Sequence, residues 1–87
     1  MFTVKIKRKA LRNLERLDGK RKQRVATTIL MLKEDPVPFK KTDICKLRGF
    51  DSTYRIRVGD LRLVYQVQWS ERTIVISFVG SREKAYR

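Results

Sequence analysis

Eighty-seven residues are enough for one small core and leave no length for a second, so residues 1–87 are read as a single domain. With 22 Lys and Arg against 9 Asp and Glu, the formal net charge is +13, which points to an anionic partner: nucleic acid, anionic lipid or an acidic protein. One cysteine and no histidine exclude an internal disulfide and argue against a metal cage, and no cofactor is expected.

The N-terminus, MFTVKIKRK, lacks the apolar stretch of a secretory signal, and no apolar run is long enough for a membrane span. A cytoplasmic protein is the expectation. Phe2 to Lys7 alternates as a strand with Phe2, Val4 and Ile6 on one face. Lys9 to Leu17 follows as a short amphipathic helix with Leu11, Leu14 and Leu17 on its apolar side, and Asp18-Gly19 breaks it. A second helix over Lys20 to Glu34 turns Val25, Ile29 and Leu32 inward and its basic KRKQR start to water. The prolines of Asp35-Pro36-Val37-Pro38 end it, because a residue before proline avoids the helical region. Ile44 to Leu47 has the composition of a brief strand, and Gly49 to Ser52 that of a turn.

The most specific segment is KLRGFDSTYRIRVGDLRLVY, from Lys46 to Tyr65. Tyr54, Ile56 and Val58 alternate with Arg55 and Arg57, Gly59-Asp60 turns the chain, and Leu61, Leu63, Tyr65, Val67 and Trp69 continue the apolar series. A two-residue turn sets Val58 opposite Leu61, Ile56 opposite Leu63 and Tyr54 opposite Tyr65. The same register sets Arg57 opposite Arg62, with Arg55 two residues along. Facing like charges weaken a sheet, which marks the cluster as a place for something anionic. Ser70-Glu71-Arg72 then turns into a last strand, Thr73 to Val79, with Ile74, Ile76 and Phe78 on the apolar face and Val75, Ser77 and Val79 on the arginine face. The fold class is α+β: a small twisted, mainly antiparallel sheet in the order β-α-α-β-β-β, with a two-helix hairpin packed on one face and the arginine face open.

Taken without more, Arg55 and Arg57 read equally well as solvent-facing strand residues, Arg82 as a surface charge and Tyr86 as a ring packed on the core. Tyr54, Tyr65 and Trp69 read as core. Cys45 reads as a small buried apolar residue, with no histidine to activate it.

Element order, length and basicity, together with KLRG at 46–49, YRIRVGD at 54–60, RLVYQV at 62–67 and VGSRE at 79–83, resemble the RelE family of bacterial and archaeal toxin–antitoxin systems. The resemblance implies a ribosome-dependent endoribonuclease that cuts mRNA in the ribosomal A site by metal-independent 2′-hydroxyl attack. It also implies inhibition by an acidic RelB-like antitoxin that wraps the toxin as a heterodimer or heterotetramer. By the same resemblance, Arg55, Arg57, Arg62, Arg82 and Tyr86 form the catalytic set. Arg55 and Arg57 stand where the family often has lysine and grip phosphates; Arg62 stabilises the scissile phosphate; Arg82 assists the leaving group; Tyr86 stacks on a base or assists the 2′-hydroxyl. Lys46, Arg48, Lys20, Arg21, Lys22, Arg24 and Lys84 are the expected RNA contacts. With the sequence ending close to Tyr86, inhibition by displacing a C-terminal helix is not expected. Two other activities are compatible with the residues: a ParE-like, non-enzymatic DNA gyrase poison, and a nucleic-acid-binding member without catalysis. The latter stays open because arginine cannot act as a general base as a lysine with lowered pKa can.

Overall fold

The computed structural model describes residues 1–81 of the chain. Seven elements follow in the order β1 (Thr3–Ile6), α1 (Arg8–Glu15), α2 (Gly19–Glu34), β2 (Asp43–Lys46), β3 (Thr53–Val58), β4 (Leu61–Gln68) and β5 (Thr73–Gly80). They build one open five-stranded sheet ordered β1-β5-β4-β3-β2. The segment at Asp43–Lys46 is a true strand, so β2 to β5 form a four-stranded antiparallel meander, and β1 closes it by pairing parallel to β5.

Both helices lie on one face. The core is built from Phe2, Ala10, Val25 and Leu32 above Ile56, Leu63, Tyr65, Val67, Ile74 and Ile76 of the sheet. In α1 the inward series is Ala10, Leu14 and Leu17; Leu11 is 40% exposed, so the apolar stripe is set one residue earlier than expected. Packing against β5 decides this, since only the small Ala10 permits close approach, and Asn13 Nδ2 donates to the Val79 carbonyl at 3.1 Å. Asp18, expected only to break the chain, is the N-cap of α2 and accepts from the Arg21 backbone N–H at 2.8 Å. Trp69 lies past the end of β4 and is 52% exposed, edge-on to Phe2 at 5.7 Å, so it caps the rim and does not join the core. No helix among the described residues is long and apolar enough to cross a membrane.

The β3–β4 register is the expected one, Val58 opposite Leu61, Ile56 opposite Leu63, Tyr54 opposite Tyr65 and Arg57 opposite Arg62. Gly59, at φ +64°, supplies the left-handed residue of the turn. A Cβ there would come within 2.9 Å of the Arg24 guanidinium, so the turn and the start of α2 pack against each other. Arg21 fastens the same corner through a two-pronged pair with Asp60, Nε to Oδ1 at 3.1 Å and Nη2 to Oδ2 at 2.6 Å. This hydrogen-bonded pairing holds the Asp60 carboxyl below the usual carboxylate range.

The β4–β5 pair departs from simple alternation. Tyr65 faces Ile76 but Val64 faces Phe78, so Ser77 is the extra residue of a bulge. Beyond it the faces invert: Val79 is buried on the helix side at 1% exposure, and Phe78 turns to the arginine side. This reverses the expected positions of Phe78 and Val79.

Candidate functional site

The sheet face opposite α1 and α2 carries the arginines. Arg57 and Arg62 sit opposite each other near the β3–β4 turn, and Arg55 lies beside Val64 one step further along. Phe78 pairs with Val64 on this face. Gly80, opposite Arg62, leaves space for its ring, because a Cβ there would meet the ring edge at 2.7 Å. The Arg55 side chain is only 14% exposed, against 46% for Arg57. Packing has therefore drawn the Arg55 stem into the sheet surface, and its buried Nε has no hydrogen-bond acceptor among the described residues. Arg62 Nη1 donates to the Ser81 carbonyl at 3.0 Å.

Sequence reasoning missed a carboxylate at this site. Asp43, the first residue of β2, pairs in register with Arg57. Its Oδ2 is 3.5 Å from Arg57 Nη1 and its Oδ1 is 4.0 Å from Arg55 Nη2. The alternation of Asp43 and Cys45 around Ile44 was the available signal, had the strand been started one residue earlier. The exposed Arg57–Asp43 pair contributes about 0–1 kcal/mol to stability. The consequence here is electrostatic: one anion of the chain already sits between two of the three cations.

The other expected contacts divide by position. Lys46 pairs with Tyr54 and so falls on the helix side of the register, at an exposed edge. Arg48 is exposed in the turn after β2. Lys20, Arg21, Lys22 and Arg24 occupy the first turns of α2, beside the β3–β4 turn that also carries Arg57 and Arg62 near its ends. Basic surface thus continues around the sheet end onto the helix layer. Arg82, Lys84 and Tyr86 lie outside the described residues.

A groove of about 270 Å³ lies on the same face, further from the hairpin turn. Val64 and Val75 form its apolar floor, Leu47 and Phe50 wall it on one side, and Lys7, Thr53, Gln66 and Ser77 supply polar groups. No three His, Cys, Asp or Glu side chains among the described residues are grouped to hold a metal ion.

Comparisons with known proteins identify the family to which this fold belongs. The sequence model of the ParE toxin of type II toxin–antitoxin systems (parDE) matches residues 4–86. A Methanocaldococcus jannaschii protein named as a toxin, RelE1, is 37% identical over 86 residues, spanning 99% of this chain and 96% of the relative. The chain belongs to the RelE/ParE superfamily of type II toxins. The fold agrees with solved members. The toxin in an archaeal RelE–RelB complex from Pyrococcus horikoshii superposes with a TM-score of 0.84 at 32% identity, over 95% of this chain and 97% of the other. A RelB–RelE complex from Methanococcus jannaschii gives 0.76 at 26% identity, over 94% of each chain. The intact E. coli RelBE complex gives 0.81 at 24% identity, over 95% of this chain and 99% of the other, a likeness of fold.

Proposed function

We propose that this toxin is a ribosome-dependent mRNA endoribonuclease, held inactive by an acidic RelB-like antitoxin in a heterodimer or heterotetramer. The observation that carries the reading is the group of Arg55, Arg57 and Arg62 on the sheet face opposite the two described helices. A facing Arg57–Arg62 pair costs the hairpin stability, which a phosphate-binding role explains and a purely structural one does not.

Cleavage begins with the 2′-oxygen forming a bond to phosphorus while the bond to the 5′-oxygen breaks, leaving a 2′,3′-cyclic phosphate and a 5′-hydroxyl. Negative charge accumulates on the non-bridging oxygens. Guanidinium groups fixed in advance stabilise that charge without reorganising, and their paired N–H groups match two phosphate oxygens at once. Arg62 and Arg57, facing each other across β3 and β4, bracket the scissile phosphate, and Arg55 holds a neighbouring one. Arginine stays protonated and cannot take the 2′-hydroxyl proton. The proton steps fall to Tyr86 or ribosomal groups, Arg82 is assigned to the charge developing on the leaving 5′-oxygen, and the ribosome aligns the 2′-oxygen for in-line attack. Lys20, Lys22 and Arg24 on α2 and Arg48 in the turn after β2 are assigned to ribosomal or messenger phosphates. Solved relatives at 32% and 26% identity are complexes with RelB, and the +13 charge of this chain suits an acidic partner of that kind.

The test is a matched pair of reactions, purified protein with mRNA alone and with mRNA programmed on ribosomes, followed by mapping of the ends. New ends inside the A-site codon, seen only with ribosomes, are expected. Intact mRNA in both, accompanied by gyrase-dependent DNA breaks, would transfer the protein to the ParE-like alternative.

Asp43 yields a second expectation. As an internal anion beside Arg55 and Arg57, it competes with phosphate for them. Asp43→Asn is expected to tighten single-stranded RNA binding several-fold at low salt. It should also steepen the logarithmic salt dependence by up to about 0.7, the increment for one further phosphate contact on a single strand. Weaker binding in Asp43→Asn would show that the carboxylate orients the arginines for RNA.

A further inference from the structure

The groove beside the arginines remains without a role in that scheme. We infer that it is a binding subsite for one single-stranded nucleobase of the RNA, with Phe50 as its stacking platform and Gln66 as the group that reads the base edge. The inference rests on the RNA-directed reading of the arginine face and deepens it.

Phe50 carries the argument. It is 58% exposed, in a turn where an aromatic ring contributes little to the core. The turn is nevertheless well held. Leu47 N donates to the Thr53 carbonyl and Val67 N to the Ser52 carbonyl, both at 2.9 Å, and Thr53 Oγ1 donates to the Asp51 carbonyl at 2.9 Å. Gly49 at φ +81° and Ser52 at φ +47° set its shape, so Ser52 holds a left-handed conformation that side chains seldom adopt. A ring kept in water on a fastened, locally strained turn is arranged for a ligand. Aromatic platforms beside a cationic track are the usual means of holding single-stranded nucleic acid, and each stacked base contributes about 1–3 kcal/mol.

The rest of the groove fits a base and its backbone. Val64 and Val75 form a floor for the flat face of a ring. Gln66 offers both a donor and an acceptor, as recognition of a base edge requires. Its amide is only loosely engaged, Nε2 to the Asp51 carbonyl at 3.3 Å and Oε1 from Gln68 Nε2 at 3.5 Å, so exchange for a base costs little. Arg48 adjoins Phe50 in the turn, and Arg55 sits one step from Thr53 along the face, so phosphates on either side of the base meet cations. Gln66 is four residues from Arg62 on β4, about 13 Å at the rise of a strand, which places the subsite next to the scissile position and distinct from it.

The test uses fluorescein-labelled RNA hexamers read by anisotropy with the full-length protein: homopolymers of A, C and U, and a hexamer with one abasic position. Phe50→Ala is expected to weaken binding between about fivefold and about 150-fold with an unchanged salt slope, and Phe50→Trp to restore it. On the best-placed abasic hexamer the loss from Phe50→Ala should disappear. Gln66→Ala should change the ranking of A, C and U more than the mean affinity. Phe39→Ala, which removes another exposed phenylalanine, 63% accessible and packed against Tyr54, controls for general surface effects and should leave binding unchanged. Equal affinity of Phe50→Ala and the parent for every hexamer overturns the inference, as does an equal loss on the abasic RNA. Loss of antitoxin binding with RNA binding intact would overturn it also, assigning the groove to the protein partner. If RNA binding depends on Phe50 but ribosome-bound mRNA stays intact, the subsite stands and the nuclease reading fails. If Phe50→Ala cuts the same codons at the parent's rate, the nuclease stands and the subsite fails.

Discussion

Replacing Arg62 with alanine is expected to slow ribosome-dependent cleavage by about 10²–10³-fold, the usual cost of losing one fixed donor to a developing oxyanion. Stability should move by no more than about 1 kcal/mol in either direction. Two structural terms oppose each other: the substitution loses the contact from Nη1 to the Ser81 carbonyl, and it relieves the like charge of Arg57 directly opposite, which costs a sheet about 0.2–1 kcal/mol. A residue present for the fold would show the reverse pattern, a clear loss of stability and a modest loss of rate. Arg62→Lys separates charge from geometry. Lysine keeps the cation but lacks the planar fork, so an intermediate rate is expected. Initial rates on programmed ribosomes, beside thermal melts of the same preparations, decide it. A rate for Arg62→Ala within threefold of the parent would remove Arg62 from the transition state.

The arginine cluster was legible because its causes are local. Gly59-Asp60 admits a two-residue turn, the turn fixes the register, and the register sets Arg57 against Arg62. The neighbouring features depend on contacts between distant parts of the chain. Nothing in TIVISFVG announces that Ser77 is spent on a bulge, yet that one residue exchanges the faces of Phe78 and Val79. Asp43 reaches Arg57 only because β2 returns along the far edge of β3 after two helices and a loop. Ala10 replaces Leu11 as the buried residue of α1 because close packing on β5 favours the smaller side chain, which spacing alone does not rank. Phe50 carried no signal of its own in the sequence, where Gly49 to Ser52 reads only as a turn. Its meaning needed the floor of Val64 and Val75 from two other strands.

Tyr65 should be the chain's most damaging single point of failure for stability. Its ring is fully buried, 5.8 Å from Tyr54, and its hydroxyl donates to the Pro36 carbonyl at 2.7 Å, tying β4 to the loop that ends α2. It also flanks the bulge that redirects Phe78. Tyr65→Ala is expected to cost about 3–5 kcal/mol, the range for deleting a buried aromatic ring. A domain of this size holds about 5–10 kcal/mol in total, so the variant should be largely unfolded at modest urea. Tyr65→Phe keeps the ring and costs about 1–3 kcal/mol for the carbonyl left without its donor. The hydroxyl adds a dependence on pH. Burial pushes the Tyr65 phenol above its ordinary value of 10.0, with smaller contributions from Tyr54 and Asp35. The folded state thus retains a proton that the unfolded chain releases. The stabilisation is complete below about pH 10 and declines as pH rises beyond it, by up to about 1.4 kcal/mol per unit, until the folded phenol ionises as well. Urea melts from pH 7 to 11 should show a steeper alkaline decline for the parent than for Tyr65→Phe. Parallel curves would mean that the hydroxyl keeps access to water and that the bond to Pro36 is not closed in solution.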